Sequence, residues 1–500
     1  MSDQTADAPA VKAILDDLFR GALVRRPDVI ALVDPADRAE FTDGAARRLT
    51  YLEADRAITA LAARLRAFGL PTDSVVAIQL PNTVESVVAL LAVMRAGLIA
   101  APLPQLWRHA DAAAALSRVA ARALICCQRV GDTVHGDLAM HIAMETFTIR
   151  FLCGFGEHLP DGVVPIDDIF SSADEPPAIQ RPGIAADHVA LVTFDVTAEG
   201  IVPVARSHAE LLAAGLAVTL EAGIAPDAAL LGALAPGSFA SVATTIVPWL
   251  LSGGTLVLHQ PFAPDVLARQ HAEERCAVAV LPGSMAARFS EAGLLDGTTV
   301  VAVWRAPERM AASAAPSGTL IDVPVFGEIG LVAMRRDASG KSSAIASGRH
   351  LAQDVHVLTV ARTAAGTVAL SGPMVPKAPF PPGAERGHAP KLKITDGVID
   401  TGYSCGIDRA ANTLTINGPP AGIISVGGYR FALRALEELI TGIEDGSTLA
   451  ALPDVLAGHR LAGSAADRDA ICDALLAYGA NPLLVAAFRA RRPATQASAA

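Results

Sequence analysis

A repeated alternation of helical stretches and short apolar strands constrains the fold of this chain more than any other feature. In one unit, Thr50 and Glu53 form a capping box ahead of a helix with an apolar stripe, which ends at Gly69. The apolar strand 75–80 follows, and a second helix leads to another apolar run at 98–103. Such β-α-β units with short loops are typical of helix-covered parallel sheets, so the sequence predicts an α/β fold with a doubly wound sheet.

Composition and charge exclude several classes of protein. The chain has 500 residues, of which 52% are apolar, and a formal net charge of -11. The apolar content suffices for a large core and excludes fibrous and disordered classes, and the acidic balance argues against a nucleic-acid partner. The longest uncharged window, 228–264, is broken by prolines and a glycine pair, so no membrane span is expected.

The sequence of the N-terminus and the spacing of the cysteines indicate the expected cellular location. Residues 1–12 lack the basic and apolar regions of a signal peptide. The six cysteines show no spacing typical of a disulfide framework or a zinc site. A reducing, cytoplasmic location and no metal site are therefore expected.

A change in composition near residues 400–420 predicts a domain boundary. Residues 413–428 have the pattern of a strand, a Gly/Pro turn and a second strand, and a helix is expected at 431–440. The sequence therefore predicts a large N-terminal domain at 1–402, a small C-terminal α+β domain at 403–492 and a flexible tail at 493–500.

Seven segments occur in the order and spacing of one known family. They are LTYLEADRA at 49–57, VAIQLPNTVESVVALLAVMRAGLIAAPL at 76–103, WLLSGGTLVLHQPF at 249–262, VLPGSMAARF at 280–289, ALSGPMVPKAPF at 369–380, DGVIDTG at 396–402 and IISVGGYRFALRALEELI at 423–440. With these segments the chain resembles the adenylate-forming superfamily of acyl-CoA synthetases, adenylation domains and luciferases. The resemblance implies a large AMP-binding-like domain and a smaller C-terminal domain that rotates.

The phosphate loop of that family is strongly altered here. The resemblance implies a Gly/Ser/Thr-rich loop that holds the triphosphate of ATP, and the matching stretch contains Asp195, Thr197, Glu199 and Gly200. Two of these residues are carboxylates. In a loop of the family's shape they would repel a polyphosphate, by about 4 kcal/mol per pair of unit charges at ~4 Å and an effective dielectric near 20.

Other positions that the resemblance assigns to the nucleotide or acyl pocket also depart from the family. Glu328 could replace the missing Mg²⁺ glutamate only through a shift of register, and Tyr403 occupies the site of the ribose-binding aspartate. The complete set by position is Phe239, Ala306, Pro307, Phe326, Gly327, Glu328 and Tyr403. The catalytic lysine that the resemblance implies near the C-terminus is absent, since Lys393 is the last lysine. That role is empty, or an arginine such as Arg489 or Arg491 would have to take it.

The CoA-facing stretch is the least altered, with Gly427 and Gly428 in place, although a tight turn alone would also explain both glycines. We therefore expect a homologue without ATP-dependent adenylation, acting as a non-catalytic or repurposed binder of an acyl ligand, a CoA-like ligand or a protein partner. The alternative is an active, divergent ligase with a relocated site. No cofactor is expected otherwise, and ATP with Mg²⁺, and CoA, come into question only under that alternative. Homodimer formation is left open.

Whether the pocket is open or filled distinguishes a repurposed binding site from a non-catalytic protein scaffold. A repurposed site should keep an open, polar-lined pocket between residues 190–330 and the small domain, whereas a scaffold would let bulky side chains fill it. The sequence slightly favours filling, because five positions carry bulky or apolar side chains: Phe194, Val196, Phe239, Ile329 and Tyr403. Ser207 beside His208 is predicted to cap a helix together with Glu210, not to act as a nucleophile.

Overall fold

The computed structural model describes residues 13–171, 183, 185–310, 318–337 and 344–489. Arg491, the predicted tail 493–500 and the last residues of the predicted second domain lie outside these ranges. The fold is mixed α/β, with a large N-terminal domain and a smaller C-terminal domain, as the sequence predicted.

Local sequence signals position the helices. Thr50 accepts a hydrogen bond from the backbone of Glu53, and Ser207 accepts one from Glu210, so both predicted capping boxes are present. The helices are α1 (Leu15–Arg25), α2 (Arg38–Phe41), α3 (Tyr51–Ala67), α4 (Val84–Arg95), α5 (His109–Arg118), α6 (His135–Glu145), α7 (His208–Glu221), α8 (Phe239–Ser241), α9 (Val247–Ser252), α10 (Pro264–Glu273), α11 (Gly283–Glu291), α12 (Leu433–Ile443), α13 (Arg468–Tyr478) and α14 (Pro482–Phe488).

The strands are short, and most of those in the large domain are buried. They are β1 (Ile30–Val33), β2 (Arg48–Thr50), β3 (Val75–Gln79), β4 (Ile99–Pro102), β5 (Ala123–Cys127), β6 (Arg129–Val130), β7 (Thr133–Val134), β8 (Phe151–Phe155), β9 (Val163–Pro165), β10 (Val189–Thr197), β11 (Gly200–Ser207), β12 (Leu230–Gly232), β13 (Leu256–Leu258), β14 (Val278–Pro282), β15 (Thr299–Trp304), β16 (Leu320–Phe326), β17 (Gly330–Leu331), β18 (Met334–Arg335), β19 (Ile345–Ala346), β20 (Gly348–Ala352), β21 (Val355–Arg362), β22 (Thr367–Ser371), β23 (Val398–Asp408), β24 (Thr413–Gly418), β25 (Ile423–Val426), β26 (Tyr429–Ala432), β27 (Thr448–Asp454) and β28 (Gly458–Ser464). The predicted strands at 75–80 and 98–103 are β3 and β4.

Two mainly parallel sheets form the centre of the large domain. One has the order β17-β16-β15-β14-β12-β13-β1-β2, with β18 beside β16, and the other has the order β11-β10-β4-β3-β5-β8-β9. Side chains from both sheets join one hydrophobic core that includes α4, a helix buried along its whole length. Because β12, β14, β15 and β16 are parallel, their carboxyl ends share one edge of the first sheet.

The third sheet is antiparallel and extends beyond the predicted boundary. Its order is β19-β24-β23-β22-β21-β20, and β23 runs without interruption through residues 402 and 403. The strand order favours a boundary in the segment 419–422, and a boundary there is our proposal. The strands predicted at 413–428 exist as β24 and β25, but they lie in different sheets.

The small domain contains the four-stranded antiparallel sheet β26-β25-β28-β27. Helices α12, α13 and α14 share a separate hydrophobic core with this sheet. The predicted helix at 431–440 begins later, at Leu433, because residues 429–432 form β26. None of the helices in the described ranges has the length and apolar character needed to cross a membrane.

Candidate functional site

An open cavity lies at the carboxyl edge of the first sheet. The loops that leave three neighbouring parallel strands border it: residues 233–235 after β12, 283–285 after β14, and Arg305 with Ala306 after β15. Loops at this edge are where ligands bind in open α/β sheets, because the strand ends leave a crevice there. The cavity volume is about 440 Å³, within the range of small-molecule sites.

The small domain supplies the opposite side of the cavity. The turn between β25 and β26 contributes Gly427 and Gly428, and the turn between β27 and β28 contributes residues 455–457, followed by Gly458 at the start of β28. Both glycines have positive φ, as a tight turn of this kind requires. The Ser284 hydroxyl of the large domain donates a hydrogen bond to the carbonyl of Leu456 at 2.7 Å. The cavity is thus shared by the two domains.

The cavity walls are mainly apolar, with a few polar groups among them. The larger apolar side chains that border it are Leu234, Phe262, Met285, Val303, Trp304, Val455 and Leu456. Polar side chains at the cavity include Gln105, Ser238, Arg305, Arg309 and Tyr429. An apolar volume with a small number of polar groups is typical of sites for amphipathic organic molecules.

Three of the predicted site residues border this cavity, namely Ala306, Gly427 and Gly428. Pro307 is buried and begins a short 3₁₀ turn directly after Ala306. The remaining predicted residues lie elsewhere, in the hairpin β10–β11 and around the turn that follows β16.

The five bulky side chains expected to fill the pocket do not border the cavity. Phe194, Phe239, Ile329 and Tyr403 are buried, and Val196 is half-buried. Phe239 packs on the guanidinium of Arg206 at 3.7 Å. These five side chains therefore leave this cavity open.

The stretch that matches the phosphate loop is closed into a β-hairpin. Strands β10 and β11 pair through Asp195 with Val202 and continue to Thr197 with Gly200, so Glu199 lies in the tight turn. The hydroxyl of Thr197 donates a hydrogen bond to the carbonyl of Gly200 at 3.0 Å. Ladder pairing uses backbone groups that a phosphate-binding loop would present to its ligand. This hairpin has no such loop.

Both carboxylates of this stretch have cationic partners, so the repulsion expected from the sequence is offset. Glu199 forms an exposed ion pair with Lys393, with 2.6 Å between the two charged groups. Asp195 forms a buried ion pair with Arg430 of β26, in which the side chains are 6% and 7% exposed. The physical reason is that the hairpin turns both carboxylates toward protein cations.

The pair of Asp195 and Arg430 joins the large domain to the small one. Burial alone would lower the pKa of Arg430, but the adjacent Asp195 carboxylate opposes this, and the net pKa shift is upward. Asp195 also accepts hydrogen bonds from the backbone N–H groups of Val196 at 2.9 Å and Glu328 at 3.4 Å. The Asp195 carboxylate therefore has one side-chain partner and two backbone donors.

Two further polar contacts cross the junction of the domains. The hydroxyl of Tyr429 accepts a hydrogen bond from the backbone of Leu106 at 3.2 Å. Arg309 donates a hydrogen bond to Nε2 of His459 at 2.8 Å. Together with the buried ion pair, these contacts fix one orientation of the small domain in this structure.

Glu328 is engaged by the protein through both carboxylate oxygens. Oε1 accepts from Arg305 at 3.0 Å, and Oε2 accepts from the backbone N–H of Phe239 at 2.6 Å. Burial raises the pKa of Glu328, while Arg305 opposes this shift. With both oxygens bonded to protein donors, the residues present do not fit the Mg²⁺ role that a register shift would give to Glu328.

Aromatic packing closes the neighbouring positions. Phe326 meets the ring of Tyr403 edge-on, with 5.4 Å between ring centroids. Burial raises the pKa of Tyr403 to about 12, so its hydroxyl stays protonated. Gly327 has positive φ, and a Cβ there would overlap the side chains of Asp195 and Arg430. Phe326, Gly327 and Tyr403, three of the positions that the resemblance assigns to the nucleotide or acyl pocket, are thus packed against protein side chains.

Sequence reasoning missed three residues of this region: Arg430, Asp322 and Arg336. Asp322 lies in the fully buried strand β16, pairs with Arg336, and accepts a hydrogen bond from Trp304 at 2.8 Å. One signal was present, because a carboxylate inside the apolar run LIDVPVF requires a buried partner. No comparable signal marked Arg430.

Comparison with known proteins assigns the family. The family described as AMP-binding enzyme matches residues 19–320, which is more than half of the chain. This protein therefore belongs to the AMP-binding enzyme family, and the resemblance seen in the sequence motifs is confirmed.

Curated relatives align over part of the chain. The chain is 29% identical over 272 residues to 2-hydroxy-7-methoxy-5-methyl-1-naphthoate–CoA ligase of Streptomyces carzinostaticus, an alignment that covers 51% of this chain and 46% of the ligase. It is 36% identical over 90 residues to the beauvericin nonribosomal cyclodepsipeptide synthetase BEA1 of Gibberella fujikuroi, covering 18% of this chain and 3% of the synthetase. The alignments therefore span less than half of either relative.

Solved structures share the whole fold. The artificially fused adenylation–PCP di-domain NpsA-ThdA from Klebsiella oxytoca matches with a TM-score of 0.67 at 18% identity, covering 94% of this chain and 92% of that one. The amide bond synthetase McbA from Marinactinospora thermotolerans matches with a TM-score of 0.70 at 18% identity, covering 95% and 94%. At these identities the likeness establishes the adenylate-forming fold.

Proposed function

We propose that this protein binds an acyl ligand, as a free carboxylate or a thioester, in the cavity between its domains, without forming an acyl-adenylate from ATP. The observation that carries the proposal is the contrast between two regions. The cavity of about 440 Å³ is open, whereas Asp195, Phe326 and Tyr403, at other positions that the resemblance assigns to the phosphate loop and the pocket, pack against protein side chains.

The lining of the cavity supports an amphipathic ligand. Apolar side chains provide most of its walls, and Arg309 borders it as well, next to Arg305, which is already paired with Glu328. A guanidinium group recognises carboxylate or phosphate oxygens, so a ligand with an apolar body and an anionic group fits both features. The naphthoate–CoA ligase among the relatives is consistent with an organic acid or its thioester.

The altered chemistry supports the loss of adenylation. Each preorganised group that stabilises charge in a transition state typically contributes 10²–10³ in rate. Here the phosphate loop is a hairpin, both oxygens of Glu328 are bonded to protein donors, and no lysine follows Lys393. A site without these groups retains binding surface but lacks the means to transfer an adenylyl group.

Calorimetric titration of the full chain tests the proposal. We expect no heat and no thermal stabilisation with millimolar MgATP, and micromolar binding of dodecanoate or dodecanoyl-CoA. The variant Ala306→Phe should reduce acyl affinity at least tenfold, about 1.4 kcal/mol, because the ring would occupy the cavity. Ala361→Phe on the exposed end of β21 is the matched control and should bind as the parent does. Micromolar MgATP binding, or acyl binding that Ala306→Phe leaves unchanged, would overturn the proposal.

A divergent ligase with a relocated site is the second candidate. Lys393 favours it, because its ammonium group lies 2.6 Å from Glu199 at the tip of the hairpin that matches the phosphate loop. This candidate predicts pyrophosphate release from ATP in the presence of a carboxylate, and loss of that release in Lys393→Met. Absence of pyrophosphate across a panel of alkyl and aryl acids would reject it.

A further inference from the structure

One wall of the cavity is an aromatic ring held in a fixed orientation. Trp304 is the last residue of β15 and borders the cavity, with 7% of its surface exposed. Its backbone is in register with Pro324 of the neighbouring parallel strand. The position of the Cα atom is therefore set by the sheet, which leaves only the side-chain torsions to determine the ring plane.

A buried ion pair fixes those torsions. The indole Nε1–H of Trp304 donates to Oδ1 of Asp322 at 2.8 Å, and Asp322 accepts from Arg336 through both oxygens, each at 2.7 Å. The side chains of Asp322 and Arg336 are 0% and 1% exposed. Apolar residues of similar volume would usually pack such a position at lower cost. The arrangement therefore gives the indole an orientation that apolar packing alone would not.

The loop after β14 leaves room for the ring. A Cβ atom at Gly283 would overlap the six-membered ring of Trp304, so a glycine is required at this close approach. Gly283 borders the cavity together with the indole. The backbone at Gly283 therefore fits one position of the Trp304 indole.

We infer that Trp304 is a specificity-determining residue and that the acyl ligand carries a planar aromatic group that packs on the indole. The inference rests on the proposed acyl-binding function and names the class of acyl group. A rigid aromatic wall favours flat rings in offset or edge-to-face contact, whereas a puckered saturated ring loses part of this contact. Because the Trp304 side chain is already fixed, it loses no conformational entropy when the ligand binds.

A matched pair of ligands tests the inference on the unmodified full chain. The probes are 4-butylbenzoate and trans-4-butylcyclohexanecarboxylate, which share chain length and charge and differ in ring saturation. We expect roughly three- to tenfold tighter binding of the benzoate by calorimetry, the range that an aromatic pair adds beyond buried area. Equal affinities, or preference for the saturated acid, would overturn the inference.

Variants at Trp304 separate the role of the ring from general packing. Trp304→Leu should bring the two affinities to within twofold, and Trp304→Phe should retain part of the preference. An unchanged preference in Trp304→Leu would overturn the role of this residue. If Trp304→Leu does not fold, the ligand pair on the parent protein still decides the class of ligand.

The outcomes also distinguish this inference from the function on which it rests. Binding of dodecanoate and of both ring probes with equal affinity would retain the acyl-binding function and refute the aromatic class. Failure of all three to bind would refute the acyl-binding function itself, and the inference with it.

Discussion

The buried ion pair between the domains gives the most quantitative prediction. Arg430→Met removes the cation and leaves Asp195 in a site where its side chain is 6% exposed. The carboxylate then keeps only two backbone donors, the N–H groups of Val196 and Glu328. Removing one partner of a buried pair typically costs about 3–5 kcal/mol, because an uncompensated charge remains in the interior. We expect a loss of that size in the free energy of unfolding.

A second variant isolates the charge from the packing. The double variant Asp195→Ser with Arg430→Met removes both charges, so it should be less destabilised than Arg430→Met alone. Lys393→Met is the matched control, because its pair with Glu199 is exposed and such pairs are worth about 0–1 kcal/mol. Any larger loss in this control would point to effects other than ion pairing.

Urea-induced unfolding followed by circular dichroism measures these differences, and limited proteolysis of the segment 419–422 reports on docking of the small domain. The expected result is a large shift for Arg430→Met, partial recovery in the double variant, and little change for Lys393→Met. A cost below about 1 kcal/mol for Arg430→Met, or a double variant less stable than the single one, would show that the unpaired charge of Asp195 does not limit the stability.

Two further predictions concern stability and the cavity wall. Burial lowers the pKa of His208 to about 4, so unfolding takes up a proton below its ordinary value of 6.5 and stability falls as pH drops from 6.5 toward 4. His208→Gln should flatten this dependence in urea unfolding at successive pH values, and an unchanged slope would contradict it. Gly283→Ala should cost roughly 1–3 kcal/mol, because its Cβ overlaps Trp304, whereas Gly442→Ala in α12 meets nothing within 4 Å and should be neutral or slightly stabilising. Equal thermal shifts for the two alanine variants would contradict the overlap.

Local signals predicted the parts of the fold that depend on nearby residues. The capping boxes at Thr50 and Ser207 are present because a cap involves residues three apart, whose geometry the helix itself determines. Local signals give less information about the position of the domain boundary. Composition changes near residue 402, but β23 continues through it because the strand pairs with β22 on one side and β24 on the other.

The sequence predicted the positions of the candidate site residues, but it did not predict which side chains they contact. Sequence motifs indicated that Asp195 and Glu199 replace the residues of a phosphate loop, and the residue types suggested repulsion. The partner of Asp195 is Arg430, which lies 235 residues away in the sequence. Periodicity and motif spacing carry no information about a pairing at that distance. The same limit applies to Trp304 and Arg336, which both donate hydrogen bonds to the buried carboxylate of Asp322.

The closed hairpin β10–β11 also limits how this site could change. Pairing continues to the two-residue turn between Thr197 and Gly200, so the backbone has no slack from which a wider loop could form. Exchange of single side chains along the ladder would alter charge and leave the main chain where it is. Introducing a phosphate-binding loop here would therefore need inserted residues that break the last backbone pairs of the hairpin. Hydrogen–deuterium exchange at the amides of these pairs would report whether the insertion had opened the hairpin.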